Sequence, residues 1–257
     1  MAFECIEYEP SGRYVTIRMN LPDKRNALSE AHLLELIRAF EGAAADDVAG
    51  IILAGAGPAF CAGHDYADMA DRDIGSTHEL LKTCQRLMDT IHTIAPPVLA
   101  RVHGLATAAG CQLVAAADLA VAGESAGFAT PGGRGGSFCH TPLVEVVRVI
   151  GHRRALEMGL TGDVIDARTA ADWGLVNRVV PDDDLDAACR ELLERATRGS
   201  RSSKALGKQA FHQQAELSRA AAYDHAIEVR AGASAAPATR EHVAAFLEKR
   251  PPVFDDA

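Results

Sequence analysis

Two short stretches have the residue types and spacing to do chemistry with backbone groups alone: FCAGHDY (Phe60 to Tyr66) and GLATAAGCQL (Gly104 to Leu113). In each, a strand-like run gives way to glycine and other small residues and then to a helix start. A helix N-terminus offers unpaired N–H groups and the positive end of the helix dipole, so it can hold an anion or a developing oxyanion. If the two helix starts converge, two N–H groups grip one carbonyl oxygen, as enolate or tetrahedral chemistry requires. Gly-rich strand-to-helix turns are common, so either turn alone says little; the pair carries the weight. Neighbouring features point elsewhere. Cys61-x-x-His64 has a metal-like spacing but no second ligand pair, so no zinc site is expected. GGRGGS (132–137) lacks the Lys-Ser/Thr of a phosphate loop. Cys111 and Cys139 have no paired base and read as packing residues.

These turns need elements to hold them. Val15, Ile17 and Met19 alternate along Tyr14–Met19, and the run Phe3 to Tyr8 precedes them across Pro10-Ser11-Gly12, which predicts a hairpin. Ser29 starts a helix with Leu33, Leu36, Ile37 and Phe40 on one face, ending near Gly42. Gly50–Gly55 suits a strand buried on both faces. A helical pattern over Thr77 to Thr93 ends before Pro96-Pro97. Then come strand Val98–Val102, helix Gly110–Ala117, strand Asp118–Ala122, a helix from Pro142 to Ile150, helices Ala155–Leu160 and Ala167–Gly174, and strand Val176–Val180. From Asp184 onward the pattern is wholly helical (Leu185–Arg198, Ser203–Arg230, Thr239–Lys249), which predicts a helical appendage.

Composition bounds the function. The chain has 257 residues, 48% of them hydrophobic, enough for one large core without staples. Its 26 Lys and Arg against 35 Asp and Glu leave a net charge of −9, spread along the chain, which argues against nucleic-acid binding. Six cysteines without framework spacing read as reduced thiols, and hence as a cytoplasmic setting. The opening MAFECIEYEP has no cationic segment followed by an apolar one, so no targeting signal is expected, and no run approaches membrane-spanning length.

With strand, turn and helix in place, the chain resembles the crotonase, or enoyl-CoA hydratase/isomerase, superfamily over nearly its full length. The segments that carry the resemblance are LPDKRNALS, GIILAGAGPAFCAGHDYADM, PPVLARVHGLATAAGCQLVAAADLAVA, FATPG, LTGDVIDARTAADWGLVNRVV and AAFLEKRPP. ARVHGLATAAGCQL, FATPG and SFCHTP are most similar to the enoyl-CoA hydratase domain-containing branch. The resemblance implies an α/β spiral of ββα units over 1–198, followed by a helical trimerisation region over 199–257. It implies a homotrimer or dimer of trimers, a coenzyme A thioester as substrate, and no separate cofactor or metal. By motif position, the oxyanion donors are the N–H groups of His64 and Ala109, where most relatives have a small residue and glycine. The His64 imidazole is expected to face solvent. For coenzyme A, the resemblance points to Lys24 and Arg25, to Ala62 and Asp65 beside the first turn, and to Phe246 and Lys249 near the C-terminus.

One departure bears on mechanism. Hydratases of this family use two glutamates, and the matching positions here hold Gln112 and Gly132. An amide cannot accept a proton at neutral pH, and glycine has no side chain to offer. Each such group is typically worth about 10²–10⁴-fold, so efficient standard hydration is not expected. His140 and Glu145, beside the next helix start, are possible substitutes, with Arg134 in the loop between. Glu145 fits better still as a carboxylate placed favourably in a helix's first turn, and His140 equally fits a helix cap. The leading expectation is an acyl-CoA enzyme of the hydratase/isomerase type that stabilises a thioester enolate; the alternative is a non-catalytic acyl-CoA-binding protein.

Overall fold

The alternation read from the sequence builds the first edge of a sheet. The computed structural model describes residues 3–255. β1 (Ile6–Ser11) and β2 (Tyr14–Met19) pair antiparallel with Ser11 opposite Tyr14. The hairpin therefore turns at Gly12-Arg13, not at Pro10-Ser11-Gly12, because only Gly12, at φ 61°, adopts the left-handed conformation that a two-residue turn needs. α1 (Glu30–Ala45) starts where Ser29 Oγ accepts from the His32 N–H and buries Leu33, Leu36, Ile37 and Phe40.

The remaining elements come in repeats. β3 (Gly50–Gly55) is followed by β4 (Ala59–Cys61), α2 (Tyr66–Met69) and α3 (Ile74–Thr93). β5 (Val98–Val102) is followed by β6 (Leu105–Thr107) and α4 (Ala109–Ala116). β7 (Leu119–Gly123) is followed by β8 (Gly127–Ala129), α5 (Pro142–Ile150) and α6 (His152–Thr161). β9 (Ile165–Asp166), α7 (Ala167–Trp173) and β10 (Arg178–Val180) complete the core strands. The long strands form one sheet in the order β1-β2-β3-β5-β7-β10, parallel beyond the first hairpin. The short ones form a second sheet, β4-β6-β8-β9. Each turn of the chain thus lays a long strand in one sheet, a short strand in the other and a helix outside, a spiral of ββα units.

The second sheet was not foreseen, since strands of two or three residues leave no periodicity to read. α3 begins at Ile74, ahead of the predicted Thr77, because Asp73 Oδ1 accepts from the Ser76 N–H at 2.7 Å and caps it. The predicted helix Ser203–Arg230 is two helices, α9 (Arg201–Ala215) and α10 (Arg219–Ala233), because Ser218 stands as a fresh N-cap between them. Nor is the chain an appendage from Asp184. α8 (Leu185–Ala196) sets Leu185, Cys189 and Leu193 against Leu99 and Val121 of the large sheet. α11 (Pro237–Glu248) is the last helix.

α9 is fastened by a charge pair. The Lys208 ammonium, 9% exposed, lies 2.7 Å from Asp118 Oδ2 and donates to the Pro96 carbonyl at 3.1 Å. Asp118 Oδ2 also accepts from the Val98 N–H at 2.7 Å, so one carboxylate ties α9 to the starts of β5 and β7. Such a buried pair is costly to break from one side.

Candidate active site

The two glycine-rich turns meet. β4 and β6 run parallel as neighbours, which brings the loops after them side by side. Gly63 has φ 89°, and a Cβ added there would stand 2.8 Å from the Ala108 Cβ, 3.0 Å from the Thr107 carbonyl and 3.1 Å from the Ala109 amide nitrogen. One residue further along α4, a Cβ on Gly110 would stand 2.1 Å from the Cys61 carbonyl. Both glycines are there because backbone passes against backbone. Thr107 Oγ1 donates to the Ala62 carbonyl at 3.1 Å and ties one loop to the other.

Neither candidate donor is spent. Leu28 bonds the residues on either side of His64, donating to the Gly63 carbonyl at 2.7 Å and accepting from the Asp65 N–H at 3.1 Å. Among the described residues no carbonyl accepts from the His64 N–H, and the Ala109 N–H heads α4 with no acceptor. His64 and Ala109 keep negative φ, so the side chains at these positions cost the backbone nothing. The strain sits at Ala108 instead, a non-glycine residue at φ 50°, ψ −118°. Strain of this kind is typically worth about 1–3 kcal/mol and is characteristic of functional turns.

The His64 imidazole does not face solvent, as the sequence suggested. Both of its ring nitrogens are buried without a hydrogen-bond partner, and burial holds its pKa below the ordinary histidine value. The ring is therefore a neutral, buried group close to the Leu28 backbone and beside a candidate N–H donor.

A residue given no role from sequence positions the first turn. Asn26, fully buried at φ 55°, accepts from the Leu21 N–H at 2.9 Å. Its amide donates to the carbonyls of Ala56, Ala59 and Phe60 at 2.9, 2.9 and 3.1 Å. The only sequence signal for it was the N of LPDKRNALS. Cys61 Sγ donates to the Asn26 carbonyl at 3.2 Å, and burial pushes this thiol up to about 12, as expected of a packing cysteine.

This places the proposed coenzyme A residues. The Ala62 N–H already donates to the Arg25 carbonyl at 3.0 Å. Lys24 Nζ lies 3.0 Å from Asp65 Oδ2, which holds the Asp65 carboxyl below the usual range, while Asp65 Oδ1 caps α2 through the Ala67 N–H. Arg25, also left-handed at φ 52°, is exposed and has no ion pair among the described residues. Phe246, 77% exposed, and Lys249 stand on the outer side of α11 and its end, not along the cavity described next.

α3, α4, α5 and α9 enclose a cavity of about 1140 Å³. Gln112, one helical turn after Ala109, lines it together with Met88, His92, Glu145 and Phe211. Gln112 is 4% exposed, and the Cys84 thiol lies 3.9 Å from its Oε1. Glu145 is on the α5 wall; burial raises its carboxyl above the ordinary glutamate value, with Asp89 and Glu216 adding to this and Arg148 and His212 opposing it. The sequence candidates therefore part company. Glu145 shares the cavity with Gln112, whereas His140 is exposed, 5.2 Å from the Phe138 ring, and caps nothing. Arg134 faces outward beside Asp163 at 3.4 Å.

Gly132 lies in a tightly closed turn. A Cβ there would stand 1.8 Å from the Ser137 carbonyl and 2.9 Å from Cys139 Sγ, so the loop's own backbone fills the space. The turn is closed by the Ser137 N–H on the Gly132 carbonyl at 2.8 Å and by the Gly132 N–H on Cys139 Sγ at 3.3 Å. Among the described residues no group of His, Cys, Asp or Glu is placed to hold a metal ion, and no helix is long and apolar enough to cross a membrane.

Comparison with known proteins bears on this geometry. The family described as Enoyl-CoA hydratase/isomerase matches residues 11–257. The mouse protein named enoyl-CoA hydratase domain-containing protein 3, mitochondrial, is 39% identical over 93% of this chain and 80% of its own length. A crystal structure of a Mycobacterium smegmatis enoyl-CoA hydratase superimposes with a TM-score of 0.94 at 42% identity, covering 97% of this chain and 98% of that one. The human enoyl-CoA hydratase domain-containing protein 3 superimposes with a TM-score of 0.92 at 36% identity, covering 98% and 100%. The crotonase-type α/β fold expected from the motifs is thus borne out. The cytoplasmic expectation is not: the mouse, rat and human relatives are named as mitochondrial. The six cysteines, all free thiols, do not say which compartment holds the chain.

Proposed function

The chain belongs to the enoyl-CoA hydratase/isomerase family, and on that premise we propose that it binds an acyl-CoA thioester and holds the thioester oxygen between the N–H groups of His64 and Ala109. The observation that carries this reading is the meeting of the two turns at Gly63, with both amides unspent. Two such donors stabilise the negative charge that develops on the oxygen as an enolate forms. Lys24 and Arg25, on the exposed turn hydrogen-bonded to Ala62, suit the phosphates of coenzyme A, which is here part of the substrate. A relative from Escherichia coli, 32% identical, is named 2,3-dehydroadipyl-CoA hydratase. Hydration by a pair of glutamates is not expected of this chain, because Gln112 and the closed turn at Gly132 offer no pair of carboxyls at the positions the resemblance implies. The same two residues favour a second reading, a binding protein that keeps the cradle and does no chemistry.

Butyryl-CoA at saturating concentration is expected to raise the melting temperature, and free coenzyme A to raise it less. Absence of any shift with the thioester would sink both readings. Crotonyl-CoA hydration, followed by loss of its conjugated absorbance, is expected to stay well below the ~10 per second of a typical enzyme; turnover at that rate would contradict the loss of the standard pair.

We also propose that the helical region mediates self-association. Phe211, Tyr223, Ile227, Val243, Phe246 and Leu247 of α9–α11 are exposed in the single chain, an unusual density of large apolar groups for a free surface. Sedimentation is expected to give a multiple of 27.2 kDa; a monomer at micromolar concentration would remove the idea.

A further inference from the structure

Behind Glu145 the cavity wall holds a line of titratable groups that ends on the Asp118–Lys208 pair fastening α9, and for its middle members, His92 and His212, neither the fold nor the oxyanion reading has a use. Glu145 Oε2 lies 3.8 Å from His92 Nε2, one small side-chain rotation short of a hydrogen bond. The His92 ring stacks on His212, with centroids 4.1 Å apart and planes 18° from parallel. His212 Nε2 lies 3.3 Å from Asp118 Oδ1, whose other oxygen is held by Lys208. Three helices, α3, α5 and α9, and the start of β7 each contribute, so the line is built only in the folded chain. Its Glu145 and His92 end lines the same cavity as Gln112, and its Asp118 and Lys208 end lines a second cavity of about 470 Å³ beyond His212.

We propose that Glu145 is the proton-transferring group of this pocket, and that His92, stacked on His212, is its positioning residue and proton store. The proposal rests on the reading that the pocket takes an acyl-CoA thioester. In the forward step the Glu145 carboxylate takes a proton from the carbon next to the thioester carbonyl. The C–H bond breaks, an O–H bond forms, and the electron pair moves into the enolate whose oxygen the His64 and Ala109 amides hold. The proton then passes from Glu145 to His92 Nε2, leaving a carboxylate beside an imidazolium, and the reverse transfers return it to the substrate. One proton is shared throughout, and no co-reactant is consumed.

The surroundings suit this division. Asp89, Arg148, Glu216 and His212 all act on Glu145, and the Cys84 thiol faces it from α3. Burial keeps His92 below the ordinary histidine value, and the stacked His212 and nearby Lys208 oppose its charge, while Asp118 and Asp89 favour it. Asp118, already paired with Lys208, leaves His212 held by a single contact on its far side.

The test uses but-3-enoyl-CoA in D₂O, following deuterium at the carbon next to the carbonyl by mass spectrometry across pH, with a protein-free blank. Calorimetric titration of the same thioester establishes binding separately. The wild-type protein is expected to bind and to exchange above the blank. Glu145→Gln, an isosteric change, is expected to bind equally and to lose at least about 100-fold in exchange, the range for a general acid-base group. His92→Gln is expected to retain exchange but move its pH midpoint upward, since the carboxyl loses the partner that takes its proton. Binding with no exchange above the blank, or exchange that survives in Glu145→Gln, overturns the proposal. A His92→Gln profile lowered at every pH with an unmoved midpoint makes His92 structural only and overturns its role. Absence of binding overturns the acyl-CoA reading itself.

Discussion

Gly63→Ala is expected to lower thioester α-proton exchange by at least about 100-fold, the usual cost of one oxyanion donor, while the protein still folds. The left-handed φ of 89° puts the new methyl 3.1 Å from the Ala109 nitrogen and 2.8 Å from the Ala108 Cβ, in the seam between the two turns. Two effects add. Alanine at this φ costs on the order of 1 kcal/mol of backbone strain, and the methyl pushes the turn carrying His64 away from the one carrying Ala109. Catalysis by fixed dipoles depends on geometry more than on presence, so a few tenths of an ångström weaken both donors together. The measurement is but-3-enoyl-CoA exchange beside calorimetric binding. Retained binding with lost exchange is the expected result, and unchanged exchange in a folded variant would contradict it.

Gly132→Glu, which introduces the glutamate that the family resemblance implies for this position, is expected to destabilise the protein by at least about 2–3 kcal/mol and not to bring hydration with it. The reason lies in the first atom of the side chain, since a Cβ here would stand 1.8 Å from the Ser137 carbonyl. Backbone held by the Gly132–Ser137 hydrogen bond cannot step aside as a side-chain tip can. Gly132→Ala should therefore cost nearly as much, which separates the steric cause from the charge. Gln112→Glu, by contrast, keeps the shape of a side chain that already fits and is expected to fold normally. Thermal unfolding checks all three, with about 2–4 °C expected per kcal/mol for a chain of this size. A melting temperature for Gly132→Glu within 1 °C of wild type would show that the loop reorganises freely.

The comparison of these two glutamate positions shows how far a sequence carries. The family resemblance pointed to Gln112 and Gly132 as the positions to compare with a hydratase's glutamates, and Pro142 and Ile150 bounded α5 as read. The resemblance could not show that the Gly132 position is filled, because the filling atom is a backbone carbonyl brought round by a turn with no side-chain signature. Asn26 was hidden for a related reason: its partners Ala56, Ala59 and Phe60 accept through carbonyls, which every residue possesses. The strands of the small sheet were too short for their alternation to register, although they are what bring the two turns together. His92 and His212 lie on helices far apart in the chain, and only the packing of α9 on α3 stacks them. Glu145 and His140 were both candidates in sequence, five residues apart. The start of α5 at Pro142 separates them, since Glu145 lies on the helix and lines the cavity while His140 lies in the turn before it and is exposed.

Polarisation of a thioester carbonyl by the His64 and Ala109 amides, as proposed, is read out by the stretch frequency of that carbonyl. Isotope-edited infrared spectra of butyryl-CoA carrying ¹³C at the thioester carbon, bound at saturation, are predicted to show the stretch at lower frequency than in water, with part of the shift lost in Gly63→Ala. A saturated complex whose carbonyl absorbs at or above its aqueous position would contradict the account.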